Sequence, residues 1–169
     1  MAKRPISADS HITEPPNCYI DYIEAKYKDS APHVVDDPKR GEIYVIEGID
    51  IAIPLSLVAA AGKPPSELST KGAVFDELHR GGWDPKARAA DQDRDGVAAE
   101  IIYPSVGMMV ANHPDFAYKR ACFDAYNRWL QEFCEGLPNR LFGMPQITME
   151  TPASGIEEVR RAKEMGFKG

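Results

Sequence analysis

A chain of 169 residues, 43% hydrophobic and 27% charged, is long enough for one domain with its own core and has an ordinary globular composition. Twenty Lys and Arg against 26 Asp and Glu leave a net charge of -6, which argues against a nucleic-acid binder, since that needs a basic face to neutralise phosphates. The basic start has no apolar stretch behind it to act as a secretory signal, and the longest apolar run, Ile51 to Ala61, is broken by Pro54 and Ser56 and is too short for a bilayer.

Ile6 to Ile12 reads as a short strand that begins straight after Pro5. Residues 13–40 hold several Pro, Asn and Asp residues and read as a loop with a short amphipathic helix near Tyr19 to Tyr27. From Glu42 to Ile53 the apolar residues alternate around Glu47-Gly48, the pattern of a β-hairpin with glycine at its turn. Residues 59–82, with Gly-Lys-Pro-Pro and Ser-Thr-Lys-Gly, read as a mobile surface loop.

A more regular pattern follows. Asp84 caps a helix with Pro85 at its first position and Gly96 at its stop. Ala98 to Tyr103 is a near-continuous apolar run, which suits a strand buried on both faces of a parallel sheet. A long helix opens with Pro114 and Asp115 in its first turn. It carries Phe116, Phe123, Tyr126, Leu130, Phe133 and Leu137 at helical spacing and ends at Gly136 and Pro138. The aromatics Phe116, Tyr126 and Trp129 read as core, and Asn127 as a hydrogen-bonding partner for a neighbouring loop. Leu141 to Thr148 is another apolar strand. Thr151-Pro152 opens a third helix, acidic early at Glu157 and Glu158, basic late at Arg160, Arg161 and Lys163, and stopped by Gly166. Phe167 to Gly169 reads as the start of a fourth strand.

Strands alternating with helices imply an α/β fold with right-handed crossovers. A closed eight-stranded barrel takes about 250 residues, so only about three of its βα units fit here. An open doubly wound sheet would fit the length, but no Gly-rich phosphate loop follows the first strand. Cys18, Cys122 and Cys134 contain no C-x-x-C pair. Cys122 and Cys134 share the long helix and would lie about 18 Å apart at 1.5 Å per residue, beyond disulfide reach. Reduced thiols and a cytoplasmic location are the expectation.

The chemistry concentrates in Ser7-Ala8-Asp9-Ser10-His11-Ile12-Thr13-Glu14. On a strand, positions i and i+2 share a face, so Asp9 and His11 point together. A carboxylate oxygen and a neutral imidazole nitrogen are good joint ligands for zinc, manganese or iron. A D-x-H triplet alone also fits an Asp capping a turn beside a hydrogen-bonded His.

Asp9-Ser10-His11 at the end of the first strand, followed by Glu14-Pro15, resembles the signature of the amidohydrolase-related family of metal-dependent hydrolases and decarboxylases. Trp83-Asp84-Pro85, Ala87-Arg88, Asp93-Arg94-Asp95-Gly96-Val97 and Ile101-Ile102-Tyr103-Pro104-Ser105 are similar to that family's first helix and second strand. Ala125 to Leu130, Pro138 to Leu141 and Glu158 to Gly169 are similar to its later segments. The resemblance covers residues 5–169 apart from 31–82, which reads as an insertion carrying the hairpin. It implies a single domain over 1–169 that is the N-terminal portion of a (β/α)8 TIM barrel, about strands one to three and the start of the fourth.

The resemblance implies further that Asp9 and His11 hold one divalent metal, zinc first and manganese as the alternative. Asp9 stands where the superfamily more often has His. The family's strand-five His and strand-eight Asp, which complete the metal site and serve the chemistry, would fall beyond Gly169. The implied function is hydrolysis or decarboxylation of a small carboxylated or cyclic organic substrate. Glu14, Tyr103 and Ser105 are the candidate substrate contacts. Glu14 fits equally a ligand-orienting group or a plain charge beside Pro-Pro, and Tyr103 equally a buried tyrosine. His113 reads as a helix-start residue, and His33 and His79, in irregular segments with no partner at ligand spacing, as surface residues. Neither nucleic acid nor membrane is an expected partner, and a homo-oligomer is expected. The contrasting reading is a non-catalytic half-barrel that associates through open sheet edges.

Overall fold

A computed structural model describes residues 4–58, 61–69 and 71–169. In chain order the elements are β1 (Ile6–His11), β2 (His33–Asp37), β3 (Gly41–Ile46), β4 (Ile49–Pro54), α1 (Leu55–Val58), α2 (Pro85–Asp95), β5 (Ala99–Tyr103), α3 (Gly107–Val110), α4 (Phe116–Glu135), β6 (Leu141–Gly143) and α5 (Pro152–Glu164). Two sheets result. One is parallel, in the order β1-β5-β6; the other is the antiparallel meander β2-β3-β4.

The helix ends follow their local chemistry. The Asp84 carboxylate accepts from Lys86 and Ala87 N–H at the start of α2, and Gly96 closes that helix at φ 71°. Thr151 and Ser154 form a capping box at α5, with Pro152 in the first turn. Asp115 lies one position outside the expected first turn of α4, where its side chain caps Ala117 and Tyr118 N–H. Along α4, Tyr118, Ala121, Cys122, Ala125, Tyr126, Leu130 and Phe133 are buried at three- and four-residue spacing, which turns one stripe onto the core. Leu130 meets β6 so closely that a Cβ at Gly143 would sit 2.6 Å from its Cγ. Phe116 departs from the core expectation: its ring is 37% exposed and lies under the Lys119 ammonium. Trp129 is partly buried and stacks on Phe133.

The hairpin of β3 and β4 turns at Glu47-Gly48, with Gly48 at φ 78°. A Cβ at Gly48 would lie 2.6 Å from His113 Nε2, so both the turn and its neighbour need glycine. β2 stands where a loop was expected. It pairs with β3 along its whole length, His33 opposite Val45 to Asp37 opposite Gly41, and this long-range pairing makes a strand of a segment without periodicity.

Three other expectations are corrected. Residues 16–23 form successive turns followed by a 3-10 helix at Ala25–Ser30, because burying Tyr19 and Ile23 four residues apart takes only one helical turn. β6 stops at Gly143, since beyond the Met144 N–H bond to Ile102 the backbone finds side-chain partners: Asn127 holds Gln146, and Glu158 holds Thr148. Phe167 to Gly169 is not a strand; the Phe167 N–H returns to the Ala162 carbonyl after Gly166 at φ 97°. The expected loop at 59–82 contains short 3-10 turns at Pro65–Glu67, Phe75–Glu77 and Arg80–Gly82, while its residues 59, 60 and 70 lie outside the described residues. Cys18, Cys122 and Cys134 are free thiols, the last two both on α4. Among the described residues no helix is long and apolar enough to cross a membrane.

Candidate metal centre

The register of β1 against β5 decides which way the chemistry points. Ser7 lies opposite Glu100 and Ser10 opposite Ile102, so three steps of β1 match two of β5. This bulge puts Ser7 and Ser10 on one face, where their hydroxyl oxygens are 2.8 Å apart. Asp9 and His11 therefore share the other face. His11 is opposite Tyr103, with ring centroids 6.0 Å apart. All three residues sit towards the C-terminal ends of parallel strands, the end where barrel enzymes build their sites.

The His11 ring has a defined tautomer. Its Nδ1 is 2.8 Å from the Pro104 carbonyl oxygen, which only accepts, so Nδ1–H is the donor and, in the neutral ring, Nε2 carries the lone pair. That Nε2 lies 3.5 Å from Asp9 Oδ1. Two donors bound tetrahedrally at 2.0–2.2 Å from one ion would be about 3.4 Å apart, so the pair fits a shared divalent metal. The outer bond from Nδ1 to a carbonyl is also the usual partner of a metal-bound imidazole. Among the described residues no group of three or more His, Cys, Asp or Glu could hold an ion, so the pair does not by itself make a metal site.

The strand end is stitched to the loop after β5. Ile12 N–H donates to the Tyr103 carbonyl, and Ser105 Oγ–H donates to the Ile12 carbonyl at 2.6 Å. Glu14 is fully buried, and its Oε1 accepts from Ser105 N–H at 3.0 Å and from Gly107 N–H at 3.1 Å. The Tyr44 hydroxyl donates to the Glu14 and Pro15 carbonyls. Of the three candidate substrate contacts, only Tyr103 shares the face of Asp9 and His11. Glu14 and Ser105 are turned inward and engaged with main-chain groups, a direction that local spacing does not reveal.

Arg88 enters the sequence reading only within the matched segment Ala87-Arg88, which gives it no role. Its guanidinium reaches from α2 to pair with Glu100, and Nη1 donates to the His11 carbonyl at 3.0 Å and the Gly81 carbonyl at 3.1 Å. One signal was present: an acidic residue inside the apolar β5 run, with an arginine on the preceding helix. The other histidines have structural partners. The His79 ring is partly buried and faces Asp91 across 2.5 Å. His33 begins β2 with its Nδ1 on the Ala31 carbonyl. His113 is buried between the hairpin and α4, where Nε2–H donates to Glu47 and Nδ1 accepts from Asp115 N–H. Asn127 does bond the loop after β6, exchanging two bonds with Gln146.

Burial pushes the Glu14 carboxyl above its ordinary value, and the main-chain N–H bonds only partly offset this. A carboxyl raised on folding binds its proton more tightly in the folded state. Its stabilising contribution is complete below the unfolded value of 4.5 and is lost as pH rises through the folded value. Glu14→Gln, which keeps an oxygen acceptor without the charge, should therefore unfold at higher urea than the parent at neutral pH. That advantage should vanish in acid. An equal difference at both pH values would show that the carboxyl is not its source.

No family model matches the chain, and no curated protein matches it. Solved structures do match in shape. An amidohydrolase from Mycobacterium avium subsp. paratuberculosis superposes with a TM-score of 0.70 at 21% identity, over 99% of this chain and 48% of that one. A 5-carboxyvanillate decarboxylase from Novosphingobium aromaticivorans, complexed with manganese and 4-hydroxy-3-methoxy-5-nitrobenzoic acid, gives 0.54 at 23% identity over 98% and 40%. A 2,6-dihydroxybenzoate decarboxylase from Rhizobium gives 0.51 at 14% identity over 98% and 37%. The chain thus has the fold of part of these barrel enzymes and spans half their length or less.

Proposed function

We propose that the chain is the N-terminal part of a metal-dependent barrel enzyme of the amidohydrolase-related family, which decarboxylates a small aromatic carboxylate with Asp9 and His11 among its metal ligands. One observation carries this reading: Nε2 of His11, freed by the bond from Nδ1 to Pro104, faces Asp9 Oδ1 at 3.5 Å on the open face of the parallel sheet. Manganese is the preferred ion, because the Novosphingobium decarboxylase of this fold was solved with it. Such an ion, when bound, would hold substrate oxygens and stabilise negative charge as it develops.

The residues of this chain supply placement. Asp9 and His11 would hold a bound ion at the strand ends, and Tyr103, opposite His11, presents its phenol on the same face, where it would donate a hydrogen bond to the substrate. Proton transfer is assigned to residues of the longer protein, outside these 169.

The test is carbon dioxide release from hydroxy- and methoxy-substituted benzoates by the full-length protein, with added Mn²⁺ and after chelation. Metal-dependent release is expected. Hydrolysis of an amide or ester without decarboxylation would assign the other chemistry of the family. Failure to bind a stoichiometric metal would favour the half-barrel reading, for which the observation is that β1 and β6 each pair on one side only.

A further inference from the structure

We propose that Glu14 is a positioning residue for His11, acting through the peptide group that joins Pro104 to Ser105. The proposal rests on the reading of His11 as a metal ligand and concerns what fixes that ligand. His11 Nδ1–H donates to the Pro104 carbonyl at 2.8 Å, and Glu14 Oε1 accepts from the Ser105 N–H at 3.0 Å. Carbonyl and N–H belong to one planar peptide unit, so holding one end sets the direction of the other. The sequence of contacts is carboxylate, peptide, imidazole. It resembles the carboxylate–histidine pairs that orient metal ligands, with a peptide group interposed.

Three features support a placing role. Glu14 is wholly buried, and a buried carboxylate is costly unless its hydrogen bonds compensate. Both partners of Oε1 are main-chain N–H groups of the loop after β5, at Ser105 and Gly107, so the side chain fastens this loop at two points. Ser105 closes the arrangement through its hydroxyl bond to Ile12, the residue after the ligand. A carboxylate on the N–H also polarises the peptide and makes its carbonyl a stronger acceptor, because hydrogen bonds in series reinforce one another. The effect at His11 is a single ring orientation, with Nδ1–H held on the Pro104 carbonyl and Nε2 turned to Asp9.

The experiment combines ¹⁵N NMR of the histidine rings with Mn²⁺ titration in full-length protein. In Glu14→Ala the His11 ring signals should change from one tautomer to an exchanging mixture, and Mn²⁺ affinity should fall about 10- to 100-fold, as for loss of an outer-shell partner. Glu14→Gln, which can still accept from both N–H groups, should restore the tautomer and most of the affinity. His33, which lies on the other sheet with its Nδ1 bonded to the Ala31 carbonyl, is the internal control and should not change. If Glu14→Ala does not fold, Glu14→Asp, one methylene too short to reach both N–H groups, takes its place with the same expectation. Unchanged His11 signals and affinity would overturn the proposal, as would equal disturbance of His11 and His33. Absence of Mn²⁺ binding by the parent protein would remove the metal reading alone, because the His11 tautomer still decides whether Glu14 positions the ring.

Discussion

Arg88→Ala is expected to lower the free energy of unfolding by about 3–5 kcal/mol, the loss typical when one partner of a buried ion pair is removed. The side chains of Arg88 and Glu100 are only 10% and 15% exposed, so truncating Arg88 leaves the carboxylate enclosed without a counter-charge. The same change frees the carbonyls of His11 and Gly81, which both accept from Nη1. Against a usual domain stability of about 5–15 kcal/mol, this is a large share. Urea denaturation measures it directly. The double variant Arg88→Met with Glu100→Leu should recover much of the loss, since apolar replacement of both partners removes the stranded charge. A single-variant loss below about 1 kcal/mol, the scale of an exposed pair, would show that the ion pair is solvated in the protein.

Asp9→Ala should behave in the opposite manner, with little change in stability and a large change in metal affinity, and His11→Ala should share the loss of affinity. The Asp9 side chain is 86% exposed, and truncation of such a residue moves stability by about 0.5 kcal/mol or less. Each change deletes a proposed ligand. The fall in Mn²⁺ affinity should therefore exceed the roughly 10- to 100-fold expected for loss of an outer-shell partner such as Glu14. Calorimetric titration and a urea curve on the same samples separate affinity from folding. Stoichiometric Mn²⁺ binding of parental strength in both variants would end the assignment of this pair. Measured together, the Arg88 and Asp9 variants distinguish a group that supports the site from one that forms it.

The contrast between these two residues reflects what is legible in the chain. Asp9 and His11 were visible because a spacing of two on a strand is a local fact and because the surrounding segments resemble a known family. Arg88 and Glu14 are no less specific in type, but their partners are distant: Glu14 bonds Ser105 across 91 residues, and Arg88 bonds the His11 carbonyl across 77. Glu14 was expected towards a substrate; its burial against Ser105 and Gly107 follows from where the loop after β5 crosses it. Tyr103 could be placed on the metal face only once its pairing with His11 was known.

By itself the sequence determined the helix starts at Asp84 and Thr151, the hairpin turn at Gly48, the alternation of strands and helices, and the coupling of Asp9 with His11. Each depends on dihedral preference, capping or periodicity among residues a few positions apart. Tertiary structure alone decided that β2 is a strand, that β6 is short and that a bulge turns Ser7 to the face of Ser10, away from Asp9 and His11. It also decided that the Pro104–Ser105 peptide stands between His11 and Glu14. These outcomes depend on which backbone groups meet across the sheet, and the hydrogen bonds that settle them join segments far apart in the chain.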